Sequence, residues 1–302
     1  MATPTSTPSS LRVGVIGLGI GRHHVQGFAK HPACTVVAVA DPDAARCAKA
    51  VEEFKVKTYA AAEDMLKAEK LDIVAVATPN RFHAPLTIAA LQAGAHVLCE
   101  KPMAMSAVEC EAMLAAADTA KKQIGINFSF RFRQQSQALH RHVATGALGR
   151  IYHGSTCWLR RYGFPGFGGW FSNKELAGGG PLIDLGVHRL DLALWLMGYP
   201  KPAWVMAGAT DVLTRDEIAR SGKTATVENH AAGLIRFTDG ATLAVEASWA
   251  CHRGENEWME TRLYGDKAGL VQRNTDGGYN FEARIFNRQG QDFYDALLAR
   301  SA

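Results

Sequence analysis

The first part of the chain alternates short apolar runs with longer amphipathic segments. The apolar runs are rich in valine and isoleucine and cover 12–16, 35–40, 72–77, 96–99 and 124–128. Near-continuous apolarity of this kind is typical of strands buried on both faces of a parallel sheet. Helical patterns lie between them, at 24–30, 43–54, 61–69, 85–92 and 107–121. This alternation predicts right-handed βαβ units in a doubly wound sheet.

The pattern changes after about residue 128. We expect a helix at 135–145, a long strand at 150–161, a glycine- and aromatic-rich loop at 162–180 and an apolar helix at 181–196. Two strand-like runs, 226–237 and 241–251, flank Asp239-Gly240, which is a strong hairpin signal. The sequence therefore predicts an α/β protein of two domains. A Rossmann doubly wound parallel sheet covers 11–127, and an α/β domain with a large, mainly antiparallel open sheet covers 128–302.

Composition excludes several classes of protein. A length of 302 residues suits two domains, and 47% hydrophobic with 21% charged residues is typical of a soluble globular chain. The net charge of +4 is spread out, so we expect no nucleic-acid partner. No run approaches the ~18 apolar residues of a spanning helix, so we expect no membrane contact. Residues 1–10 are rich in serine, threonine and proline and predict a disordered tail, neither signal peptide nor anchor.

The six cysteines are scattered, without a CxxC pair or zinc-ligand spacing. Four of them lie in strongly apolar contexts. With no export signal, this usage predicts a reducing cytoplasm. No cluster of carboxylates and histidines indicates a metal site.

A glycine triplet, Gly17-Leu-Gly19-Ile-Gly21, follows the first predicted strand and precedes the first helix. In this context small residues let a pyrophosphate lie against backbone N–H groups at a helix N-terminus, although the usual spacing is GxGxxG. Asp41 ends the second predicted strand, where a carboxylate accepts hydrogen bonds from the adenosine ribose and repels a 2′-phosphate. We therefore expect NAD, with NADP possible if Arg22 or Arg46 reverses that preference. Alternatively, Asp41 only caps the next helix.

Two further segments leave the carboxyl edge of the predicted sheet, where doubly wound folds bind their ligands. The first is Thr78-Pro79-Asn80-Arg81-Phe82-His83 and the second is Cys99-Glu100-Lys101-Pro102. The predicted cofactor-binding residues are Gly17, Gly19, Ile20, Gly21, Arg22, Asp41, Thr78, Pro79, Asn80, His83, Glu100 and Lys101.

Five motifs together, IGLG, VADPD, ATPNRFH, VLCEKPMA and GGGPLIDLGVHRLDLALWLMG, resemble the glucose–fructose oxidoreductase/inositol dehydrogenase (Gfo/Idh/MocA) family over about 12–270. The resemblance implies hydride transfer between nicotinamide and a secondary alcohol or ketone of a sugar, inositol or sugar derivative. It implies that Lys101 binds the reacting hydroxyl, that His188 is the acid/base and that Asp184 orients a neighbouring hydroxyl. Asp184 and His188 are spaced i, i+4, which places them on one face of a regular helix.

Other cleft residues are open to more than one interpretation. Tyr162 and Trp170 suit stacking on a sugar ring, but exposed aromatic residues also form contacts between subunits. The expected substrate-binding set is Lys101, Asn127, Arg131, Arg161, Tyr162, Trp170, Asp184 and His188. The histidines at 23, 24, 140 and 142 are interpreted as surface or capping residues.

Two other functions remain compatible with the sequence. An enzyme that cleaves glycosides through transient NAD-dependent oxidation and elimination would use the same Lys101 and His188. A non-catalytic cofactor-sensing regulator would need neither. Strands with apolar residues on both faces predict a homo-oligomer, a dimer or a tetramer, formed through the second domain's sheet.

Overall fold

The computed structural model describes residues 10–298, which form two compact units divided between Asn127 and Phe128. In the first unit the strands are β1 Leu11–Ile16, β2 Cys34–Ala40, β3 Lys57–Tyr59, β4 Ile73–Val76, β5 His96–Cys99 and β6 Ile124–Ile126. The helices are α1 Gly21–Ala29, α2 Ala44–Phe54, α3 Ala62–Ala68, α4 His83–Gln92 and α5 Ala107–Ala120. The expected tail lies outside the described residues, except for Ser10.

The six strands of the first unit form one parallel sheet in the order β3-β2-β1-β4-β5-β6. The central strands are buried over residues 13–16 of β1 and 74–76 of β4, because helices cover both faces of the sheet. All five predicted strands and all five predicted helices are present. The pattern missed β3, since Lys57–Tyr59 is a three-residue edge strand without an apolar run.

Side chains cap the starts of helices α2 and α5 in this unit. Ser106 caps α5 in a capping box with Glu109. Asp41, in contrast, is not a cap: the side chain of Asp43 accepts hydrogen bonds from the backbone N–H groups of Ala45 and Arg46 at the start of α2. The Asp41 carboxylate instead accepts hydrogen bonds from the backbone N–H groups of Leu18 and Asp43.

Up to residue 298, where the description ends, the second unit adds four α-helices and eight strands. The helices are α6 Gln134–Ala144, α7 Lys174–Ala177, α8 Val187–Met197 and α9 Val212–Ser221. The strands are β7 Ile151–Arg160, β8 Pro202–Thr210, β9 His230–Phe237, β10 Thr242–Ser248, β11 Glu257–Gly265, β12 Ala268–Asn274, β13 Phe281–Gln289 and β14 Asp292–Leu297. They form one sheet in the order β14-β13-β12-β11-β7-β10-β9-β8.

This sheet is antiparallel apart from the pair β7 and β10, as the sequence predicts. The hairpin between β9 and β10 turns through Asp239 and Gly240, and Gly240 has φ +91°. The expected strand at 226–237 begins only at His230. Strands β8 and β11 to β14 and helix α9 were not assigned from the sequence.

The predicted continuous helix at 181–196 is wrong in its first turn. Leu182–Gly186 forms a π-helical turn, and the regular helix α8 starts at Val187. Gly186 lies so close to β10 that an added Cβ would stand 2.9 Å from the Cβ of Ala247. The i, i+4 spacing of Asp184 and His188 therefore spans a widened turn, and a regular helical face does not describe their relation.

Across residues 10–298, no helix is both long enough and apolar enough to cross a membrane.

Candidate active site

The three glycines of the first loop differ in what surrounds them. Gly17 has φ +87°, and a Cβ there would stand 2.5 Å from the carbonyl oxygen of Ala77, so this position requires glycine. At Gly21 a Cβ would press on Ala77 and Val15, which shows close packing of α1 on the sheet. At Gly19 a Cβ would meet only the Nη1 atom of Arg46, 3.9 Å away. The backbone at Gly19 is thus open to a ligand.

Asp41, at the end of β2, is 5% exposed and holds this loop in place. Its Oδ2 accepts from the backbone N–H of Leu18 at 2.6 Å, and its Oδ1 accepts from that of Asp43 at 2.8 Å. Arg46 lies 3.6 Å from Asp41, whereas Arg22 makes an ion pair with Glu53 on α2. Of the two arginines considered for cofactor choice, only Arg46 lies beside Asp41.

The end of β4 and the segment after β5 are joined by His83. Its Nδ1 lies 2.7 Å from the carbonyl oxygen of Pro102, and its Nε2 lies 2.9 Å from that of Thr78. Burial outweighs these contacts and lowers the pKa of His83. Because both ring nitrogens face the backbone, any contribution of His83 to cofactor binding would be indirect. Thr78 keeps its buried Oγ1 without a protein partner.

Glu100 immediately precedes Lys101 and is 8% exposed. Its Oε1 accepts from His24 Nε2 and from Asn127 Nδ2, each at 2.7 Å, and its Oε2 accepts from the backbone N–H of Lys101 at 3.3 Å. Burial alone would raise the pKa of Glu100, but the His24 and Asn127 hydrogen bonds and the charges of His24 and Lys101 lower it. The carboxylate is therefore ionised near neutral pH.

In the second unit, Asp184 and His188 lie among aromatic side chains. Trp249 donates from Nε1 to Oδ2 of Asp184 at 3.0 Å. The His188 ring has its centroid 5.3 Å from that of Phe130 and 5.7 Å from that of Trp158. Phe130, Trp158 and Trp249 belong to one buried cluster. This buried aromatic cluster therefore supports a carboxylate and an imidazole, two polar groups that can bind hydroxyls.

Arg189, the residue after His188, anchors α8 to the sheet. It is fully buried and donates to Gln272 Oε1 at 2.9 Å and to Thr261 Oγ1 at 2.7 Å. Its own carbonyl accepts from Thr156 Oγ1. Burial lowers the pKa of Arg189 to about 10, so the guanidinium remains charged at neutral pH.

The glycine run before this helix packs against protein. Gly178 ends α7 with φ +84°, and a Cβ at Gly180 would stand 2.1 Å from the carbonyl oxygen of Glu228. The N–H of Gly180 donates to Glu228 Oε1 at 2.8 Å. The close approach that the glycines permit at 180 is therefore to Glu228.

Several expected substrate residues have protein partners. Arg131 makes a two-point ion pair with Asp191 on α8. Tyr162 contacts Glu217 and Arg220 on α9 through its hydroxyl, and Trp170 stacks on Phe171. Arg161 donates to the backbone of Gly254. Their assignment to substrate remains a prediction, and it would require these contacts to be shared or exchanged.

Sequence reasoning missed His24 and Trp249. The interpretation of His24 as a surface residue is wrong: its side chain is 13% exposed and bonded to Glu100. Its position three residues after Gly21 puts it on the same side of α1 as the glycine loop, which was a usable signal. Trp249 follows β10 directly.

These residues fit a dinucleotide cofactor. Gly19 leaves the space that a pyrophosphate requires, Asp41 stands at the end of β2, and Thr78 offers an unused buried hydroxyl. Within the described part of the chain, no group of three or more His, Cys, Asp or Glu side chains could hold a metal ion.

Both units match models of a known protein family. Residues 11–128 match the oxidoreductase family with an NAD-binding Rossmann fold, and residues 136–271 match the GFO/IDH/MocA C-terminal domain. D-glucoside 3-dehydrogenase of Escherichia coli K12 is 37% identical over 273 residues, which are 88% of this chain and 78% of that enzyme.

Two solved structures share the fold over nearly the whole chain. Levoglucosan dehydrogenase in complex with NADH has a TM-score of 0.83 at 25% identity, covering 97% of this chain and 80% of that one. The aldose–aldose oxidoreductase from Caulobacter crescentus, complexed with glycerol, has a TM-score of 0.80 at 26% identity, covering 97% and 85%. The expected fold class and family are confirmed: the chain belongs to the GFO/IDH/MocA family and is an NAD-binding oxidoreductase.

Proposed function

We propose that this protein oxidises a ring hydroxyl of a glucoside or related sugar with NAD, and reduces the corresponding ketone in reverse. The observation that carries the proposal is the Asp184 carboxylate, held by Trp249 and close in sequence to His188 within an aromatic cluster. A carboxylate accepts hydrogen bonds from sugar hydroxyls, and Trp249 of the buried aromatic cluster holds this carboxylate in place. The similarity to D-glucoside 3-dehydrogenase and levoglucosan dehydrogenase supports this substrate class.

Each residue has a distinct role in the proposal. When bound, the nicotinamide supplies the hydride chemistry. The Lys101 ammonium donates a hydrogen bond to the oxygen of the reacting hydroxyl and stabilises negative charge that develops there. His188 takes the hydroxyl proton as a neutral imidazole and returns it in the reverse reaction. Asp184 accepts a hydrogen bond from a neighbouring hydroxyl and so fixes which carbon reacts.

We also propose a homo-oligomer formed through the sheet of the second unit. All nine residues of the edge strand β8 are exposed, with Trp204 at 52%, Val205 at 60% and Met206 at 68%. Register pairs Met206 with Leu234, which extends this apolar surface onto β9. Apolar edges of this size are usually covered by a partner, here a second copy of the chain.

A cytoplasmic location belongs to the same proposal. All six cysteines are free thiols, and a reducing compartment keeps cysteines in that state.

The catalytic proposal is tested by steady-state kinetics on Lys101→Ala, His188→Ala, Asp184→Ala and the double variant of the first two. The assay follows nicotinamide absorbance with D-glucosides, levoglucosan and myo-inositol as substrates. Each of the first two variants should lower kcat by roughly 10²–10⁴-fold, the usual contribution of a positioned acid or base. The double variant should be scarcely worse than either single one, because both residues serve one proton transfer. Asp184→Ala should act mainly on KM.

Lys49→Ala and His31→Ala are the matched controls, since both side chains are exposed on the first unit. Melting curves check that each variant folds. Near-wild-type kcat in a folded His188→Ala protein would contradict the proposal. Product analysis separates simple oxidation, which gives a keto-sugar with the glycosidic bond intact, from glycoside cleavage, which releases the aglycone.

A further inference from the structure

One buried carboxylate joins three parts of the first unit. Glu100 follows β5, His24 lies in the first turn of α1 directly after the glycine loop, and Asn127 follows β6. Both His24 Nε2 and Asn127 Nδ2 lie 2.7 Å from the same oxygen of Glu100. The backbone is tied at the same place, because Glu100 donates its N–H to Val76 O and Asn127 donates its N–H to Cys99 O.

The geometry also fixes the direction of these bonds. An ionised carboxylate only accepts hydrogen bonds, so His24 must carry its proton on Nε2 and donate it. With side-chain exposures of 13% for His24 and 10% for Glu100, water competes weakly for this contact. A charge-assisted hydrogen bond of this kind is stronger than one between neutral groups.

Glu100 is joined to Lys101 by the chain and by a second contact. Its other oxygen, Oε2, accepts from the backbone N–H of Lys101 at 3.3 Å. On the far side of Lys101, the carbonyl of Pro102 is held by His83. The backbone on both sides of the lysine is therefore fixed by a buried side chain, and the Glu100 carboxylate in turn depends on His24 and Asn127.

We propose that His24 is a positioning residue for Lys101, acting by holding the Glu100 carboxylate between α1 and the ends of β5 and β6. The significance for the reaction rests on the proposed role of Lys101. His24 also links α1, whose start forms the dinucleotide loop, to the segment that carries the lysine. The start of α1 beside the glycine loop and the backbone of Lys101 are thereby held in one rigid arrangement.

The pKa of Glu100 reports directly on the hydrogen bond from His24. The titratable groups that face Glu100 are His24 on α1, the adjacent Lys101 and His83 on α4. Since the His24 bond lowers the pKa of Glu100 against the effect of burial, its removal leaves burial less opposed and raises that pKa. The carboxylate then takes up a proton at a higher pH than in the wild type, and the hydrogen bond from Lys101 N–H is weakened.

Three substitutions at one position separate donation from packing. His24→Gln places an amide donor near the former Nε2, His24→Asn is polar but too short to reach Glu100, and His24→Leu keeps the volume without a donor. His23→Leu, at the exposed neighbouring position, is the control. Carbon-13 NMR of labelled glutamate carboxyls, in protein without cofactor, follows Glu100, whose signal is assigned by its loss in Glu100→Gln.

We expect the Glu100 titration midpoint to rise by about one pH unit or more in His24→Leu and His24→Asn, and to stay near the wild-type value in His24→Gln. In the same two variants kcat should fall about 10-fold with little change in the KM for sugar, and the acid limb of the pH profile should move toward neutral pH. His24→Gln should keep kcat within about 3-fold.

An unmoved Glu100 midpoint in the variants that lack the donor would overturn the proposal, and so would equal losses in His24→Gln and His24→Leu, which would indicate packing alone. If His24→Leu fails to fold, the pair His24→Gln and His24→Asn decides the matter. If the Glu100 titration midpoint shifts but the Lys101→Ala protein is active, the proposed role of Lys101 is wrong. The effect of His24 on Glu100 is then still supported.

Discussion

Substitutions of two glycines in the glycine loop should affect different properties of the protein: Gly17→Ala its folding, and Gly19→Ala its binding of the cofactor. Gly17→Ala should damage folding, because the residue has φ +87° and its new methyl group would stand 2.5 Å from the Ala77 carbonyl oxygen. The left-handed backbone costs about 1–2 kcal/mol for a residue with a Cβ, and overpacking adds ~1–3 kcal/mol. Together the two contributions lower the free energy of unfolding by about 2–5 kcal/mol. A loss of ~3 kcal/mol within that range corresponds to a fall in Tm of roughly 10 °C.

Gly19→Ala should leave folding intact and weaken cofactor binding. The new methyl group would lie 3.9 Å from Arg46 and contact nothing closer, so the free energy of unfolding should stay within ~0.5 kcal/mol of wild type. The methyl group would instead occupy the space needed for a pyrophosphate to reach the loop N–H groups. Loss of one hydrogen bond to a charged group, about 1.5–3 kcal/mol, raises the Kd for NAD by roughly 10- to 150-fold.

Differential scanning calorimetry and titration calorimetry with NAD measure the two quantities on the same samples. Gly27→Ala, on α1 with open space around its Cβ position, is the matched control: it should raise Tm slightly, because alanine in a helix is about 0.5–1 kcal/mol more favourable than glycine, and leave Kd unchanged. If Gly19→Ala bound NAD as tightly as wild type, the loop would not be the pyrophosphate site. If Gly17→Ala melted at the wild-type temperature, the steric argument would be refuted.

Two further predictions concern cofactor choice and assembly. Asp41→Ala should narrow the preference for NAD over NADP by about 10-fold in binding titrations, because it removes a carboxylate beside Arg46; tighter binding of NADP by the wild type would contradict this role of Asp41. In light scattering at micromolar concentration the wild type should be an oligomer, and Met206→Lys on β8 should shift it toward the monomer. Val108→Lys, on an equally exposed apolar position of α5, is the control, and a wild-type monomer would refute the assembly.

The first unit could be predicted closely from the sequence because every strand except β3 leaves an apolar run, and the central strands are buried on both faces over most of their length. β1 and β4 are examples, with Val13, Val15, Val74 and Val76 at 0% exposure. The capping residue of α2 was harder, since both Asp41 and Asp43 precede the helix and only the fold shows that the first is bonded to Leu18. The contact between His24 and Glu100 joins residues 76 positions apart, a distance at which local patterns carry no information.

The second unit shows where a periodic pattern fails. The strand β8 has small and apolar residues on both sides, so alternation does not mark it, and its neighbour in the sheet follows only after α9. The π-helical turn before His188 is also not visible in the sequence, and at its end Gly186 packs closely on Ala247. Strand β8 and the π-helical turn both depend on tertiary contacts, so a local sequence pattern does not reveal them.

The buried guanidinium of Arg189 has a practical consequence for protein engineering. Its bonds to Thr261 and Gln272 secure the helix that carries His188 to two strands of the sheet, independently of the loop at 162–180. Libraries that vary the loop around Tyr162 and Trp170 can therefore be screened for activity on new sugars without altering the Arg189 contacts that hold the helix of His188. Randomisation that includes Arg189 would remove the donor of the buried Gln272 Oε1 and one partner of Thr261, and we expect many of those library members to unfold.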